Sequence, residues 1–409
     1  MRKSRLSCLP AGFLLFTFLA FVFFSYPASA GAARRVTQIA ELTDSHGDRS
    51  SFGFSISLSG NTIAVGAPYG DLAYVFVKPA SGWMNMNQTA ALSSTGFVVD
   101  FGHCIATNGD TVVVGAPTDT DELPSLADVF VEGASGWQDI NPTADLGPSN
   151  RINDFGWTCA IAPSGNAVLV SEPFGTPQGF DGAVWAFKKP AGGWESERQF
   201  GIIFPPPGAN AALFGWSIAI DGNTLVIGDY GANGYSGAVF VYELVGGHLT
   251  EVAELTPSDG EEDTLGVSVA ISGNTIVAGA AGRSGVGAAY VFVKPPTGWA
   301  NMTETAQLTS TNANPQAGIG SSVAIDGKVI VAGAPYANVG SNIGQGAILG
   351  FLKPASGWTN ATENFVLLAS DGAAGDNMGS SIAAGGGVVA SGAPEKDNGV
   401  GAVYVFTHP

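Results

Sequence analysis

Apolar and small or polar residues alternate in short runs along most of this chain, and the runs come in a fixed order. In the first clear instance Gly53 to Leu58 alternates and predicts a strand, here called A. Ser59-Gly60-Asn61 is a tight turn, and Thr62 to Val65, rich in β-branched residues, predicts strand B. Ala73 to Val77 predicts strand C and Thr89 to Leu92 strand D. Alternation with period 2 marks a half-buried strand, and Gly supplies the positive φ that a two-residue hairpin needs.

The same order returns with a spacing of about 50 residues. Each copy opens on a large residue followed by Gly: Phe52-Gly53, Phe101-Gly102, Phe155-Gly156, Phe214-Gly215, Leu265-Gly266, Ile319-Gly320 and Met378-Gly379. A Gly-Ala-Pro turn ends strand B at Gly66-Ala67-Pro68, Gly115-Ala116-Pro117, Gly333-Ala334-Pro335 and Gly392-Ala393-Pro394. It is altered at Ser171-Glu172-Pro173, Gly228-Asp229-Tyr230 and Gly279-Ala280-Ala281. Strand C carries an aromatic at one place in every copy, from Phe76 to Phe406, which reads as core. Trp83, Trp137, Trp194, Trp299 and Trp358 recur before strand D and are expected to cover the blade edge.

Four short strands cannot bury two apolar faces alone. Seven such sheets packed around an axis bury both faces of each and leave only short edges. The expected fold is therefore all-β, a seven-bladed β-propeller. The last copy stops after strand C, at Val403 to Phe406. The segment Thr37 to Thr43 resembles the strand D segment Thr250 to Thr256, with Thr, Ala, Glu, Leu and Thr in common. It is predicted to complete the last blade and close the ring.

The large-residue–Gly openings, the Gly-Ala-Pro turns and the strand Gly401-Ala402-Val403-Tyr404-Val405-Phe406 resemble the FG-GAP repeat family, known from the β-propeller head of integrin α subunits, and above all its short bacterial form. The resemblance implies one propeller over residues 36–409. It also implies a departure. Family members that bind calcium carry an acidic D-x-[DN]-x-[DN]-G loop in the A–B hairpin, where this chain has only Ser-Gly-Asn or Asp-Gly-Asn. Such a turn cannot wrap the six to eight oxygens that calcium takes. No cofactor is expected; calcium stays open at Asp259-Gly260-Glu261-Glu262-Asp263 and at Asp371 to Asp376, although their spacing matches no established calcium loop.

The first thirty residues have another character. Arg2, Lys3 and Arg5 precede an apolar run from Ala11 to Phe24, and Ala28-Ser29-Ala30 is a small-x-small site. This is a secretory leader, and the domain proper is expected over residues 31–409. Its apolar run is shorter than the roughly 20 residues of a spanning helix, so no membrane span is expected in the mature chain. The reading is a secreted or periplasmic protein, with cell-surface association open, and monomeric. Acidic residues outnumber basic ones 34 to 16, which excludes binding nucleic acid through its phosphates.

Two cysteines follow the leader, Cys104 and Cys159. Cys159 reads first as a small core residue in an Ile position; the alternative is a disulfide between neighbouring A strands in an oxidising compartment. The D–A and B–C loops share one face, and that face is acidic. Its ligand candidates are Asp119, Asp121, Glu122, Asp259, Glu262, Asp263, Asp371 and Asp376. Lys78, Lys188, Lys189, Lys294, Lys328 and Lys353 gather on the other face. No metal site and no catalytic residue is assigned. Ser55, Ser217, Ser268, Ser322 and Ser381 recur as turn or packing residues, and no Gly-x-Ser-x-Gly elbow occurs.

The functional expectation is a binding or adhesion module for an extracellular protein or surface partner. A lectin is the alternative, and a hydrolase of an extracellular polymer the second alternative. The residues after the opening Gly (Phe54, His103, Trp157, Trp216, Val267, Ser321, Ser380) are too dissimilar for a repeated sugar pocket. The third repeat, with Trp157 and Ser171-Glu172-Pro173, is the most distinctive. Exported protein should begin at Gly31 by intact mass; a mature species retaining the leader would contradict this assignment.

Overall fold

The computed structural model describes residues 33–118, 125–148, 154–174, 181–245, 248–260 and 263–409; the segment expected to be a leader, residues 1–30, lies outside them. Among the described residues no helix is long and apolar enough to cross a membrane. The strands form seven sheets, each with an antiparallel A-B-C-D core that follows the chain order in six of them. In blade one these are Ser55–Ser59, Thr62–Ala67, Leu72–Val77 and Ala90–Leu92. The A–B hairpin pairs Ser59 with Thr62, and strand C pairs Ala73 with Leu92. Each A strand touches the A strands of both neighbours, and Ser381–Gly385 of blade seven meets Ser55–Ser59 of blade one. The A strands therefore line the axis and the D strands form the rim. Strands B and C are buried almost throughout, and each pair of adjacent sheets shares one apolar cluster.

The blades touch through glycine. Gly66 of the Gly-Ala-Pro turn faces the Gly102 carbonyl of the next blade, and a Cβ on Gly66 would collide with it. Gly115, Gly228, Gly279, Gly333 and Gly392 stand in the same way against Gly156, Gly266, Gly320, Gly379 and Gly53. These carbonyls are aimed by a left-handed backbone, φ +93° at Gly53 and +102° at Gly102, which Gly adopts without strain. The recurring serines complete the contact. Ser55 Oγ donates to Gly102 O at 2.8 Å, Ser217 to Gly266 O at 2.8 Å and Ser381 to Gly53 O at 2.6 Å. Cys104 occupies this Ser position in blade two, and it is disulfide-bonded to Cys159 of blade three, with Cα atoms 5.8 Å apart. The preferred reading of Cys159 as a lone core residue thus gives way to a covalent link at that junction. Closing a 55-residue loop is worth about 4 kcal/mol in the chain-entropy picture.

The last blade takes its D strand from the other end of the chain. Ala40–Thr43 pairs antiparallel with Ala402–Thr407, Ala40 opposite Val405 and Leu42 opposite Val403. The predicted segment began three residues earlier. Of those, Thr37 ends a separate strand, Arg34–Thr37, which pairs parallel with Phe365–Leu368 on the rim of blade six, and Gln38 and Ile39 connect the two strands. Between the two strands Gln38 exchanges two hydrogen bonds with Ser370, at 2.8 and 2.9 Å.

The repeat tryptophans do not cap an edge. They are inserted between blades, each at most 8% exposed and packed with the preceding blade's core. The few residues after each Trp then run parallel to the preceding blade's D strand. Met86–Asn87, Glu197–Arg198, Met302–Thr303 and Ala361–Thr362 do so in blades seven, two, four and five, and Ile140 bridges Leu92 of blade one.

Two core positions break the pattern with acids. Asp128 stands where blades one, five and seven have Tyr74, Tyr290 and Tyr404, and Glu172 stands where five turns have Ala. Both are at most 1% exposed. Burial pushes Glu172 up to about 8, helped by the Asp154 charge and opposed by a hydrogen bond from the Phe174 N–H. Burial likewise takes Asp128 to about 8, with the Ser94 hydroxyl opposing and the Asp145 carboxyl adding.

Removing residues through Thr43 should bare the edge of Ala402–Thr407, lower the melting temperature and promote aggregation; Leu42→Ala should cost about 2–5 kcal/mol. A truncated chain that melts like the intact one would refute the closure. The raised acids predict a pH signature. Their folded values lie above the ordinary 4.5 and 3.8, so stability is fully present below about pH 4 and is lost as pH climbs towards 8. Glu172→Gln should melt higher than wild type at pH 8, with the gap closing towards pH 4. A gap of constant size across a fluorimetric pH series would contradict the burial of a charge there.

Candidate functional site

The D–A connections that enter each blade and the B–C connections meet on one face around the axis. Of the eight acidic candidates, Asp119, Asp121, Glu122 and Glu262 lie outside the described residues. The other four are engaged within the face. In blade seven, Asp371 accepts from Lys396 Nζ at 2.7 Å and from Tyr404 OH at 2.9 Å. Burial would raise its pKa, but these two donors outweigh that and hold it low. In blade five, Tyr290 OH donates to Asp263 at 2.8 Å, Arg283 Nε pairs with Asp259 at 3.3 Å, and Arg283 Nη2 donates to Gln307 at 2.9 Å. Burial pushes Asp263 up, whereas Asp259 is held low by its hydrogen bonds and Arg283 despite burial. Asp376 is buried and accepts from the Ala373 N–H at 2.7 Å. Each of these groups ties an entering loop to the blade's own strand C or folds the loop on itself. Among the described residues no three His, Cys, Asp or Glu side chains converge as a metal site requires.

The residues that meet across blades are aromatic. Phe54, His103, Trp157 and Trp216 each follow the opening Gly of blades one to four, at the start of the innermost strands. Their rings form one series: Phe54 to His103 5.1 Å between centroids, His103 to Trp157 4.4 Å, and Trp157 to Trp216 4.8 Å. Two altered turns widen it. Phe174, just past Ser171-Glu172-Pro173, packs edge-on to Trp157 at 4.8 Å and also meets Trp216 at 5.9 Å. Tyr230 of Gly228-Asp229-Tyr230 packs edge-on to Trp216 at 4.7 Å and leads to Tyr235 at 6.1 Å. Asp229 shapes that turn from below, buried and accepting from the Ala212 and Leu213 N–H groups at 3.1 and 3.0 Å.

The crescent is partly open to solvent. Phe54 is 36% exposed, Phe174 49% and Tyr235 53%, while the rings between them are half-buried. His103 Nδ1–H donates to the Trp157 carbonyl at 3.0 Å, and burial lowers its pKa against that hydrogen bond. It is a neutral ring in an aromatic row. In blades five to seven the same positions hold Val267, Ser321 and Ser380, and the two serines turn back onto Gly318 and Asn377 carbonyls at 2.7 Å. Half the channel mouth is thus aromatic and half small and polar. Such a surface offers ring faces and edges to apolar, cationic or sugar groups.

In the sequence these residues are too dissimilar across the seven repeats for a repeated pocket. The ring makes the dissimilarity the point, because four consecutive blades supply one continuous surface. The available signal was four aromatic or imidazole side chains in succession at a single register.

The sequence profile of the FG-GAP repeat matches this chain over residues 36–76, 198–242, 249–292 and 362–406. No curated protein matches it. Each matched segment runs from the rim, in or just before the D strand of one blade, to strand C of the next, and the intervening repeats form the same A-B-C-D sheets, with the Gly–Gly contact at every junction but that of blades three and four. The protein is a seven-bladed β-propeller built of FG-GAP repeats.

Proposed function

We propose that this propeller is an exported, non-catalytic binding module that engages an extracellular protein or surface partner through the loop face, at the aromatic crescent of blades one to four. An FG-GAP propeller is a protein-interaction scaffold, and function on such scaffolds rides on the loops. The observation that carries the reading is the unbroken series from Phe54 to Tyr230, partly exposed at the channel mouth. Aromatic side chains are the groups most enriched at interface hot spots. The partner surface that fits is apolar with Lys or Arg at its edge, since Asp259, Asp371 and the other loop acids surround the mouth. Metal is not needed in this mode of binding.

A glycan ligand is the second reading, favoured by the exposed ring faces of Phe54 and Phe174. Hydrolysis has one chemical foothold, the raised Glu172, because a general acid needs such a pKa. At 1% exposure that carboxyl does not reach a substrate, which is why we read the face as a binding surface.

A random peptide library and a glycan array, both probed with wild type and with Trp157→Ala/Trp216→Ala, separate these readings. Peptides enriched by wild type should carry aromatic and basic residues and lose at least about tenfold in affinity against the double variant. Their binding should weaken with salt, because exposed charges are screened beyond roughly 8 Å at physiological ionic strength. Glycans lost in the double variant would install the second reading. Ligands of either kind that bind both proteins equally would remove the crescent from the site.

A further inference from the structure

The rim of this propeller is stitched in every blade but one. In five blades the stitch has two parts. A Trp is wedged between two blades, and the residue two places later accepts the N–H at the middle of the preceding D strand. Asn85 accepts from Glu41 at 2.9 Å, Asp139 from Ala91 at 2.8 Å, Ser196 from Asp145 at 3.1 Å, Asn301 from Glu254 at 2.9 Å and Asn360 from Gln307 at 2.9 Å. The chain then runs parallel to that D strand for one or two residues. Blade six, which no Trp linker follows, is covered by Arg34–Thr37.

Blade three has neither part. Among the described residues its D strand, Gly201–Ile203, pairs with strand C alone. The linker that should cover it belongs to blade four, where strand C ends at Val245 and strand D starts at His248, with no Trp between them. A groove of about 750 Å³ lies where the Trp and the covering strand would be, lined by Leu169, Ala186, Ile220 and Leu225 and flanked by Phe200 and Leu244. Phe200 is 63% exposed and Leu244 45%. Ile202 holds the mid-strand position of Glu41 and Ala91, opposite Trp185 as those are opposite Tyr404 and Tyr74. Its N–H has no acceptor among the described residues. The blade three–four junction departs from the others at the axis as well, with Ser171 in place of the contact Gly and Thr158 in place of the Ser.

We propose that this groove docks an extended segment of a partner protein, added parallel to Gly201–Ile203, with a Trp in the cavity and an Asn, Asp or Ser two residues later on the Ile202 N–H. The chemistry of the occupant is read from the five junctions where the chain supplies it to itself. Addition of a strand to an open edge, with side-chain pockets setting specificity, is an established mode of peptide recognition. The groove includes Gly222 and Asn223 of an A–B turn and so opens on the face opposite the loops, which keeps this proposal independent of the reading of the crescent.

The probe is a fluorescein-labelled peptide with the sequence of residues 81–90, SGWMNMNQTA, titrated by anisotropy against the exported chain. Saturable binding is expected, weaker by at least about tenfold for the peptide with Trp replaced by Ala. Ile202→Pro, which removes the outward N–H at an edge position that tolerates Pro, should weaken binding by a similar factor. Replacing Gly246-Gly247 with the Trp83–Thr89 sequence should fill the groove in cis, raise the melting temperature and abolish binding. Absence of saturable binding up to millimolar peptide, or equal affinity for the Trp-less peptide, would overturn the proposal. So would sedimentation showing a dimer of this chain whose formation blocks the peptide, because the groove would then belong to a second copy.

Discussion

The rest of the structure depends on the approach of backbone to backbone between adjacent blades. At six junctions the contact is a Gly Cα against a Gly carbonyl of the next blade, with no room for a side chain. At five of these a Ser hydroxyl of the first blade closes onto that same carbonyl. The carbonyl is aimed correctly only because its own Gly has positive φ. One residue type thus sets both the distance and the angle between sheets, and repetition of one angle makes a closed ring. The large residue before each opening Gly is fully buried and anchors the same turn in the core.

Where this contact is altered, the molecule departs from symmetry in more than one way. Cys104 replaces a Ser, and a disulfide joins blades two and three. One junction later Ser171 replaces the Gly and Glu172 the turn Ala, Asp229 replaces that Ala in the following blade, and Phe174 and Tyr230 from these two turns join the aromatic crescent. On the far side of the same junction the rim is left without its Trp and covering strand. A repeat that is uniform elsewhere tolerates these changes because each blade contacts only its neighbours. Stability is then a sum over junctions, and the covalent link stands at the junction next to the most divergent one.

Buried acids are part of that divergence. Glu172 and Asp128 destabilise the fold when charged and neither forms a salt bridge among the described residues. By contrast, the exposed-face acids Asp259 and Asp371 are tied to Arg283 and Lys396 and keep the loops of blades five and seven in place. Charge on the loop face therefore does two jobs, and the acids that fix loops are not the ones a count of Asp and Glu would distinguish from the rest.

The sequence by itself determined the repeat, the strand order within a blade, the number of blades and the segment that completes the last one. Each of these follows from local rules: period-2 alternation, Gly where φ is positive, and one apolar face per strand. It also placed the strand C aromatics in the core, because a residue that recurs in every copy at one register meets the same surroundings in each. Tertiary structure decided what lies between copies. The tryptophans were legible as a repeat but not as wedges, since the cavity they fill belongs to the preceding blade. Cys104 and Cys159 are separated by 55 residues, and only the angle between two sheets brings them to bonding distance. Phe54, His103, Trp157 and Trp216 come from four different repeats and form one surface solely because the ring sets them side by side. The open edge of Gly201–Ile203 is likewise an absence that no single repeat contains; it exists because the C–D linker of the following blade, three strands further along the chain, carries neither the Trp nor the residues after it.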